Sequence, residues 1–348
     1  MKKYLLPPNL NWYRANFHCH TTQSDGSLTP AQVKDAYKAQ GYSIVAYTDH
    51  ETLLPHPELN DENFLALTSS EISLMVDNDP IPVLGDEPAD RNWTHRRTYH
   101  MNIFSKDPNA SGLDFLKDTI YGAQRGFFPG SEEKRQELAQ FSYEKINEVI
   151  AKCNAAGFFV QLNHPFWSMN IREDYMALKG LWGLEILNYA TQLITLSEYC
   201  PFIYDDMLRS GENKYLRCTM GDDNHNRREN DRYRGSFGGS TIIGAKELTY
   251  EAIIDALEKG NFYCSSGAKT HPEIYSIYIE DGVVKVDCSP AANIFFIGYT
   301  RRFSDAYGDN ITHAEFPLTE ADTYFHIIVR DKYDNRAHSQ TYHLKDFL

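Results

Sequence analysis

The chain has 348 residues, of which 42% are apolar and 24% charged, a composition typical of a globular protein. Its formal net charge of −14 argues against duplex nucleic acid as a partner, because binding a long polyanion normally requires a basic surface. No apolar run approaches the roughly 18 residues of a membrane-spanning helix, and the apolar run at 4–6 is too short for a signal-peptide core. We therefore expect neither duplex nucleic acid nor a membrane among the partners.

The six cysteines are scattered singly along the chain, without a Cys-x-x-Cys pair. Isolated cysteines are typical of free thiols in a reducing compartment, whereas a disulfide framework usually shows paired spacings. The sequence therefore predicts a cytoplasmic protein and leaves its oligomeric state open.

Short apolar runs alternate with amphipathic segments from residue 14 to about residue 268, which is typical of an α/β fold. Thr29-Pro30 opens a helix that we expect to end at Gln40, before Gly41, since Thr caps helices, Pro favours their first turn and Gly follows their end. Further helices are expected at 141–156, near 195–209 and at 249–259. Strands are expected at 14–20, 43–47, 158–162, 184–187, 216–220 and 262–264.

Two stretches interrupt this alternation, at 73–97 and 105–140. Loops of such length in a compact domain are commonly functional, so we expect both to lie over the active face. Beyond residue 268 the pattern changes to strands at 274–279, 283–288, 292–297 and 324–329, joined by turns such as Asp281-Gly282 and Asp334-Asn335. The sequence thus predicts a small all-β, sandwich-like domain at 269–348.

Two short motifs have a spacing suited to metal binding. In His18-Cys19-His20, residues two apart on a strand point to the same side, so both imidazoles can face one ion. Asp223-Asn224-His225 repeats this spacing with a carboxylate and an imidazole. A lone histidine is more often a core or surface residue, but six histidines and three carboxylates together predict a metal site at the ends of the strands. The five further candidates near predicted strand ends are Asp25, His50, Glu71, His100 and His164.

Six stretches carry a resemblance to a known family over residues 14–268. They are, in chain order, FHCHTTQSDGSLTP, VAYTDHETL, SSEIS, TYHMNIF, LNHPFW and GDDNH. In this combination the chain resembles the polymerase and histidinol phosphatase (PHP) family of metal-dependent phosphoesterases. The resemblance implies a distorted (β/α)7 barrel at 14–268. The segments 262–267, 286–298 and 324–339 resemble, more loosely, the tail of a two-domain subgroup of that family, in keeping with a β domain at 269–348.

The family pattern also implies how two to three divalent ions would be held. The first ion would be bound by His18, His20, Glu71 and Asp223, the second by Glu71, His100 and His164, and the third by Asp25, His50 and His225. All nine positions carry a suitable residue. Imidazole and carboxylate ligands suit manganese, zinc and iron alike.

The implied activity is that of a phosphoric ester hydrolase. Three divalent ions would outweigh three carboxylates and one hydroxide by about two charges, which matches a phosphate dianion. Clustered metals lower the pKa of water, so hydroxide can attack phosphorus near neutral pH. The expected substrate is a small phosphorylated metabolite, a nucleotide or a short oligonucleotide.

Two alternative functions are compatible with the same metal site. The same ligand set would serve an amidohydrolase-like enzyme that hydrolyses C–N or C–O bonds. The chain could also be a non-catalytic metal-binding sensory module, although the complete ligand set argues against this.

Residues beyond the ligands have open roles. Arg227 and Arg234 follow the Asp-x-His motif and could bind a second phosphate, or lie in a solvated, salt-bridged loop. Trp167, close to His164, could line the pocket and stack on a base or ring. Asp49 could orient a liganding imidazole or cap a strand end, and we expect Asp222 to point away from the metals. No general acid is assigned, with His95 and a metal-bound water as candidates.

Overall fold

The computed structural model describes residues 2–80, 96–116, 142–299 and 301–347. Within these residues, sixteen strands join into one sheet and are accompanied by six α-helices. The predicted mixed α/β composition is therefore confirmed, with strands outnumbering helices.

The bounds of the elements are as follows. The strands are β1 Lys3–Leu6, β2 Asn11–Asn16, β3 Ile44–Tyr47, β4 Leu65–Pro80, β5 Arg96–Ser105, β6 Phe158–Leu162, β7 Gly183–Asn188, β8 Arg217–Gly221, β9 Gly239–Ala245, β10 Phe262–Ser266, β11 Ile274–Glu280, β12 Val283–Gly298, β13 Phe303–Pro317, β14 Tyr324–Arg330, β15 Arg336–Ser339 and β16 Tyr342–His343. The α-helices are α1 Pro30–Ala39, α2 Tyr143–Ala155, α3 Arg172–Met176, α4 Tyr189–Thr195, α5 Pro201–Arg209 and α6 Tyr250–Lys259.

The strand order of the sheet is β1-β11-β12-β14-β15-β10-β9-β2-β3-β4-β5-β6-β7-β8, with β13 beside β12 and β16 beside β14. Strands β2, β3 and β4 are parallel to one another, and so are β6, β7 and β8. The end strand β8 lies against β9, because the Met220 amide donates to the Thr241 hydroxyl at 3.4 Å. The two ends of the run from β9 to β8 therefore meet.

The predicted helix boundaries are explained by their capping residues. Thr29 accepts a hydrogen bond from the Gln32 amide, and the Gln32 side chain accepts one from the Thr29 amide, so a capping box starts α1. The chain leaves the helix through Gly41, at φ +79°. Ser142 and Thr249 cap α2 and α6 by accepting one hydrogen bond each, from the amides of Lys145 and Ala252. Side-chain capping thus fixes the starts of the three longest helices.

Several predicted boundaries are wrong. The strand predicted at 14–20 ends at Asn16, and the helix predicted near 195–209 is two helices separated by Leu196 at φ +59°. Strands β4 and β5 extend into the loop predicted at 73–97, because the chain continues there as an antiparallel pair. Residues 81–95 and 117–141, which include most of both predicted loops and His95, lie outside the described residues.

The C-terminal segment is built of strands, as predicted. From residue 274 onward the described residues form β11 to β16 and one 3-10 turn, and Asp281 and Gly282 both take positive φ in the hairpin between β11 and β12. The two strands predicted at 283–288 and 292–297 are one strand, β12, with an irregular register between Asp287 and Ala291. The domain boundary at 268/269 stays a prediction. No helix within the described part of the chain is long and apolar enough to cross a membrane.

Candidate metal centre

The nine predicted ligand side chains converge on one place. Glu71 lies at the centre and is buried, with only 1% of its surface exposed to solvent. Its two carboxylate oxygens lie 3.0–3.4 Å from a ring nitrogen of each of five imidazoles, those of His18, His20, His50, His100 and His164. Residues separated by more than a hundred positions in the sequence thus surround one buried carboxylate.

The other two carboxylates complete the cluster. Asp223 Oδ1 lies 3.0 Å from His20 Nε2, 3.4 Å from His18 Nε2 and 3.6 Å from His225 Nδ1. Asp25 Oδ1 lies 3.3 Å from His225 Nε2 and 3.7 Å from His20 Nδ1. All nine residues are therefore joined in one network of close nitrogen–oxygen distances.

The potential ligand atoms form three groups, and the atoms inside each group lie within 4.8 Å of one another. The groups are His20, Asp25, His50 and His225; His18, Glu71 and His164; and His18, His20 and Asp223. This division is close to the one that the resemblance implies. It differs in three respects: His20 joins the third group, Glu71 is absent from the group of His18, His20 and Asp223, and His18 takes the place of His100 beside Glu71 and His164. His100 belongs to none of these groups but contacts Glu71 at 3.0 Å.

The two short motifs, His18-Cys19-His20 and Asp223-Asn224-His225, lie side by side. Cys19 and Asn224 form an isolated parallel bridge, in which the His20 amide donates to the Asn224 carbonyl at 3.1 Å. The Asp223 amide donates to the His18 carbonyl at 2.9 Å. The predicted strand stops before His18, but His18 and His20 still point to the same side, because a ring nitrogen of each lies within 3.4 Å of Glu71.

Two candidate ligands have an unusual backbone conformation. Asp223 has φ +55° and His164 has φ +24°, in a region that residues other than glycine rarely occupy. Such strained residues persist only where the surrounding structure holds them, and they are concentrated at functional sites. In this conformation His164 Nε2 lies 3.2 Å from Glu71 Oε1, and Asp223 Oδ1 lies 3.0 Å from His20 Nε2.

A buried carboxylate that the sequence analysis missed lies behind the histidines. Glu185 Oε1 lies 3.0 Å from His18 Nδ1, while Glu185 Oε2 accepts hydrogen bonds from the His164 amide at 3.2 Å and from Asn188 Nδ2 at 3.0 Å. Metal-binding imidazoles commonly have such a carboxylate partner on the second ring nitrogen. The signal in the sequence was a charged residue inside β7, whose six residues are all buried.

Close packing at Gly221 allows this contact. A β-carbon at this position would lie 2.9 Å from both Glu185 Oε1 and the β-carbon of His18. The glycine in the stretch GDDNH therefore lets β8 approach the first histidine motif.

The site has unmet polar groups that a cation would satisfy. Four buried atoms form no hydrogen bond within the described residues, although carboxylate or imidazole groups surround them. These atoms are His18 Nε2, His20 Nε2, His50 Nδ1 and Asp223 Oδ1. Buried polar atoms are normally paired, so this arrangement fits a set of metal ligands.

The electrostatics of the cluster agree with this. Burial alone would lower the pKa of both His18 and His20, but the surrounding carboxylates outweigh it and raise the pKa of His20 to about 10. Burial likewise favours a protonated Glu71, yet the neighbouring imidazoles hold its pKa well below the usual range. The carboxylates therefore stay ionised and attract positive charge to the centre, as divalent ions require.

The Glu185 contact gives a first testable prediction. Replacing Glu185 by Gln keeps the shape of the side chain but removes the charge that orients and polarises His18. We expect the affinity for divalent ions to fall by about 10- to 100-fold, the usual effect of losing such a partner. Titration with Mn²⁺ would measure this, with the exposed Glu258→Gln as control, and an unchanged affinity would show that Glu185 only fills space.

The proposed substrate residues occupy different surroundings. The Arg227 guanidinium binds Asp25, one of the nine candidate ligands. Arg234 is exposed, and its amide donates to the Asp231 carbonyl at 3.1 Å. Trp167 is 41% exposed, and its amide donates to Glu198 at 2.9 Å. Their roles in substrate binding stay predictions.

The two aspartates beside the ligands support the loops. Asp49 accepts hydrogen bonds from the amides and hydroxyls of Thr21 and Ser24, so it holds the turn after His20. Asp222 points away from the ligands, as predicted, and accepts the amides of residues 237–239. Burial raises the pKa of Asp222 to about 6.

The solved structures that are similar to this chain include the three described here. A two-domain protein from Bacteroides vulgatus, described as containing a predicted PHP-like metal-dependent phosphoesterase, shares 14% identity over 94% of each chain with a TM-score of 0.46. A candidate metal-dependent phosphoesterase from Bifidobacterium adolescentis shares 19% identity over 60% of this chain and 86% of its own, with a TM-score of 0.35. An amidohydrolase from Chromobacterium violaceum, with bound sulfate and no metal, shares 16% identity over 61% and 87%, also at 0.35.

No family profile and no curated protein matches the sequence.

Proposed function

We propose that the protein is a metal-dependent phosphoesterase acting on a small phosphorylated metabolite, a nucleotide or a short oligonucleotide. The observation that carries the proposal is the convergence of six imidazoles on three carboxylates, with four buried ligand atoms left without hydrogen bonds. Such a set has the composition of a multi-metal hydrolytic centre.

The proposed fold is a distorted (β/α)7-type barrel at 14–268 followed by a small β domain at 269–348. The contact between Met220 on β8 and Thr241 on β9 supports closure, because it brings the two ends of the strand run together. Seven of the nine candidate ligands follow β2, β3, β6 and β8, whose carboxyl ends lie at one rim in a closed barrel, whereas Glu71 and His100 lie within β4 and β5.

Two to three divalent ions, of manganese, zinc or iron, would be held by the three groups of ligand atoms. When bound, such ions lower the pKa of water towards neutrality and offset negative charge on phosphoryl oxygens. The chain provides the rest of the site. Glu185 orients His18, Asn188 donates to Asp223 Oδ2 at 3.1 Å, and Asn163 donates to Glu71 Oε1 at 3.0 Å.

A further group holds the loop that follows His164. Glu198 is fully buried and accepts the amides of Phe166 at 3.2 Å and Trp167 at 2.9 Å. Burial raises the pKa of Glu198 to about 7. The Trp167 side chain is thereby presented at the surface next to the centre, where a ring of the substrate can stack on it.

The charge balance favours phosphate over a neutral substrate. With neutral imidazoles, the three carboxylates carry about −3, and three divalent ions would reverse this sign. A positive centre in a protein with net charge −14 attracts an anion to that one place.

A substrate screen tests the proposal. Protein loaded with Mn²⁺, Zn²⁺ or Fe²⁺ is offered nitrophenyl phosphate, nucleoside monophosphates and dinucleotides beside amides and lactones. We expect phosphate esters to be hydrolysed with the highest kcat/KM. Hydrolysis of amides or lactones alone would indicate an amidohydrolase-like enzyme. Binding of metal without turnover of any substrate would indicate a sensory module.

A further inference from the structure

Each of the three candidate carboxylates accepts a hydrogen bond from a side chain outside the ligand set. Asn163 donates to Glu71, Asn188 to Asp223 and Arg227 to Asp25. Asp25 Oδ1 also accepts a longer hydrogen bond from the neighbouring Ser24 hydroxyl, at 3.4 Å, whereas the other three donors come from distant parts of the chain. Two of these donors are neutral amides, whereas the third is a cation. Asp25 also differs in exposure, since its side chain is 28% exposed compared with 1% for Glu71 and 10% for Asp223. Asp25 is therefore the carboxylate that packing restrains least.

Arg227 compensates for this lack of packing by binding Asp25 at two points. Its Nε donates to the Asp25 carbonyl oxygen at 2.7 Å, and its Nη2 donates to Asp25 Oδ2. The other carboxylate oxygen, Oδ1, is left facing the imidazoles of His225 at 3.3 Å, His20 at 3.7 Å and His50 at 3.8 Å. The guanidinium thus fixes which oxygen of Asp25 points into the cluster.

The backbone supports the same arrangement. The Ser27 amide donates to the His225 carbonyl at 2.8 Å, so the turn that carries Asp25 is joined directly to the segment that carries Arg227. At Gly26 a β-carbon would lie 2.3 Å from the His20 carbonyl oxygen, which shows how closely this turn packs on the first motif. Turn and segment therefore form one unit around the third group of ligand atoms.

We propose that Arg227 is a positioning residue that holds Asp25 as a ligand and thereby sets the affinity of the third ion. That ion would be bound by His20, Asp25, His50 and His225. The inference rests on the proposed function, because it requires that the cluster bind divalent ions. Of the two roles left open for Arg227, a contact with a second phosphate and a salt bridge, this is the salt bridge, made to a candidate ligand.

Two effects of Arg227 oppose each other. Its positive charge repels a cation nearby, whereas its fork of donors keeps Asp25 in a single orientation. The side chain is 54% exposed, so solvent screens the repulsion, while losing an orienting partner usually lowers metal affinity about 10- to 100-fold. Positioning is therefore expected to outweigh repulsion.

The experiment uses Arg227→Lys and Arg227→Ala, with Arg228→Lys and Arg228→Ala as controls at an exposed position on the same loop. Arg227→Lys keeps the charge but removes the fork, so its effect isolates positioning. Bound metal is counted by elemental analysis, and Mn²⁺ affinity is measured by electron paramagnetic resonance. We expect both Arg227 variants to lose about tenfold in affinity for a single ion, the one bound by the group that contains Asp25, with the other ions retained and the control variants unchanged.

The outcomes separate this inference from the proposed function. Arg227 variants that bind every ion as tightly as the unmodified protein overturn the inference and leave the phosphoesterase proposal intact. Equal weakening of all ions also overturns it, because Arg227 would then support the whole centre. If the unmodified protein binds no divalent ion, the proposed function fails and the inference fails with it.

Discussion

Replacing Glu71 by Gln is expected to abolish binding of at least two ions and to reduce phosphatase activity on the order of a thousandfold or more. The reason is its central place, with five imidazoles within 3.4 Å of its two oxygens. The amide has nearly the same shape as the carboxylate, but it lacks the charge and offers only one oxygen as a ligand. Metal content and kcat/KM of the purified variant measure the effect.

Glu58→Gln is a matched control for this substitution. Glu58 is exposed and lies 3.0 Å from His56, so it has a histidine partner without belonging to the centre. Its replacement should leave metal content and activity unchanged. Normal metal content and activity in Glu71→Gln would show that Glu71 is a structural carboxylate paired with imidazoles.

Chelation of divalent ions is expected to remove phosphatase activity to a similar extent, and adding Mn²⁺ back should restore it. Removal should also lower Tm, because buried ligand atoms then lose their partner and ionised carboxylates face each other across the cluster. An ion supplied at about a thousand times its Kd stabilises the folded state by about 4 kcal/mol. Differential scanning calorimetry with and without Mn²⁺ measures this independently of any substrate.

The control for the thermal measurement is Glu71→Gln, whose Tm should respond much less to Mn²⁺. A chelated protein that keeps both its full activity and its Tm would contradict a metal-dependent mechanism. A rise in Tm of the same size in the variant would place the stabilising ions elsewhere on the surface.

The sequence predicted the elements whose boundaries depend on local chemistry. Thr29 and Gly41 mark α1 because capping and positive φ are properties of those residue types. The buried run Phe158–Leu162 was predicted at its observed bounds. By contrast, β9 and β13 were missed. Most of β13 is exposed and polar, so it has no apolar signal, and its strand conformation comes from pairing with β12.

The convergence of the candidate ligands could be predicted from the sequence. The residues that contact and orient these ligands could not. His18 and His20 share a side because their spacing is two, which depends only on extended backbone. Glu185 contacts His18, and Arg227 contacts Asp25. These partners are far apart in the sequence, so no sequence spacing predicts the two contacts. Positive φ at His164 and Asp223 likewise results from tertiary contacts rather than from residue type.

The most direct test of the metal centre is a crystal structure of protein loaded with Mn²⁺, with anomalous scattering recorded at the manganese absorption edge. Two or three anomalous peaks are predicted inside the cluster, one of them touching Glu71 together with His18 and His164. Another is predicted between Asp25 and His225. Loaded crystals without anomalous density among these side chains, or with peaks only at the protein surface, would contradict the account.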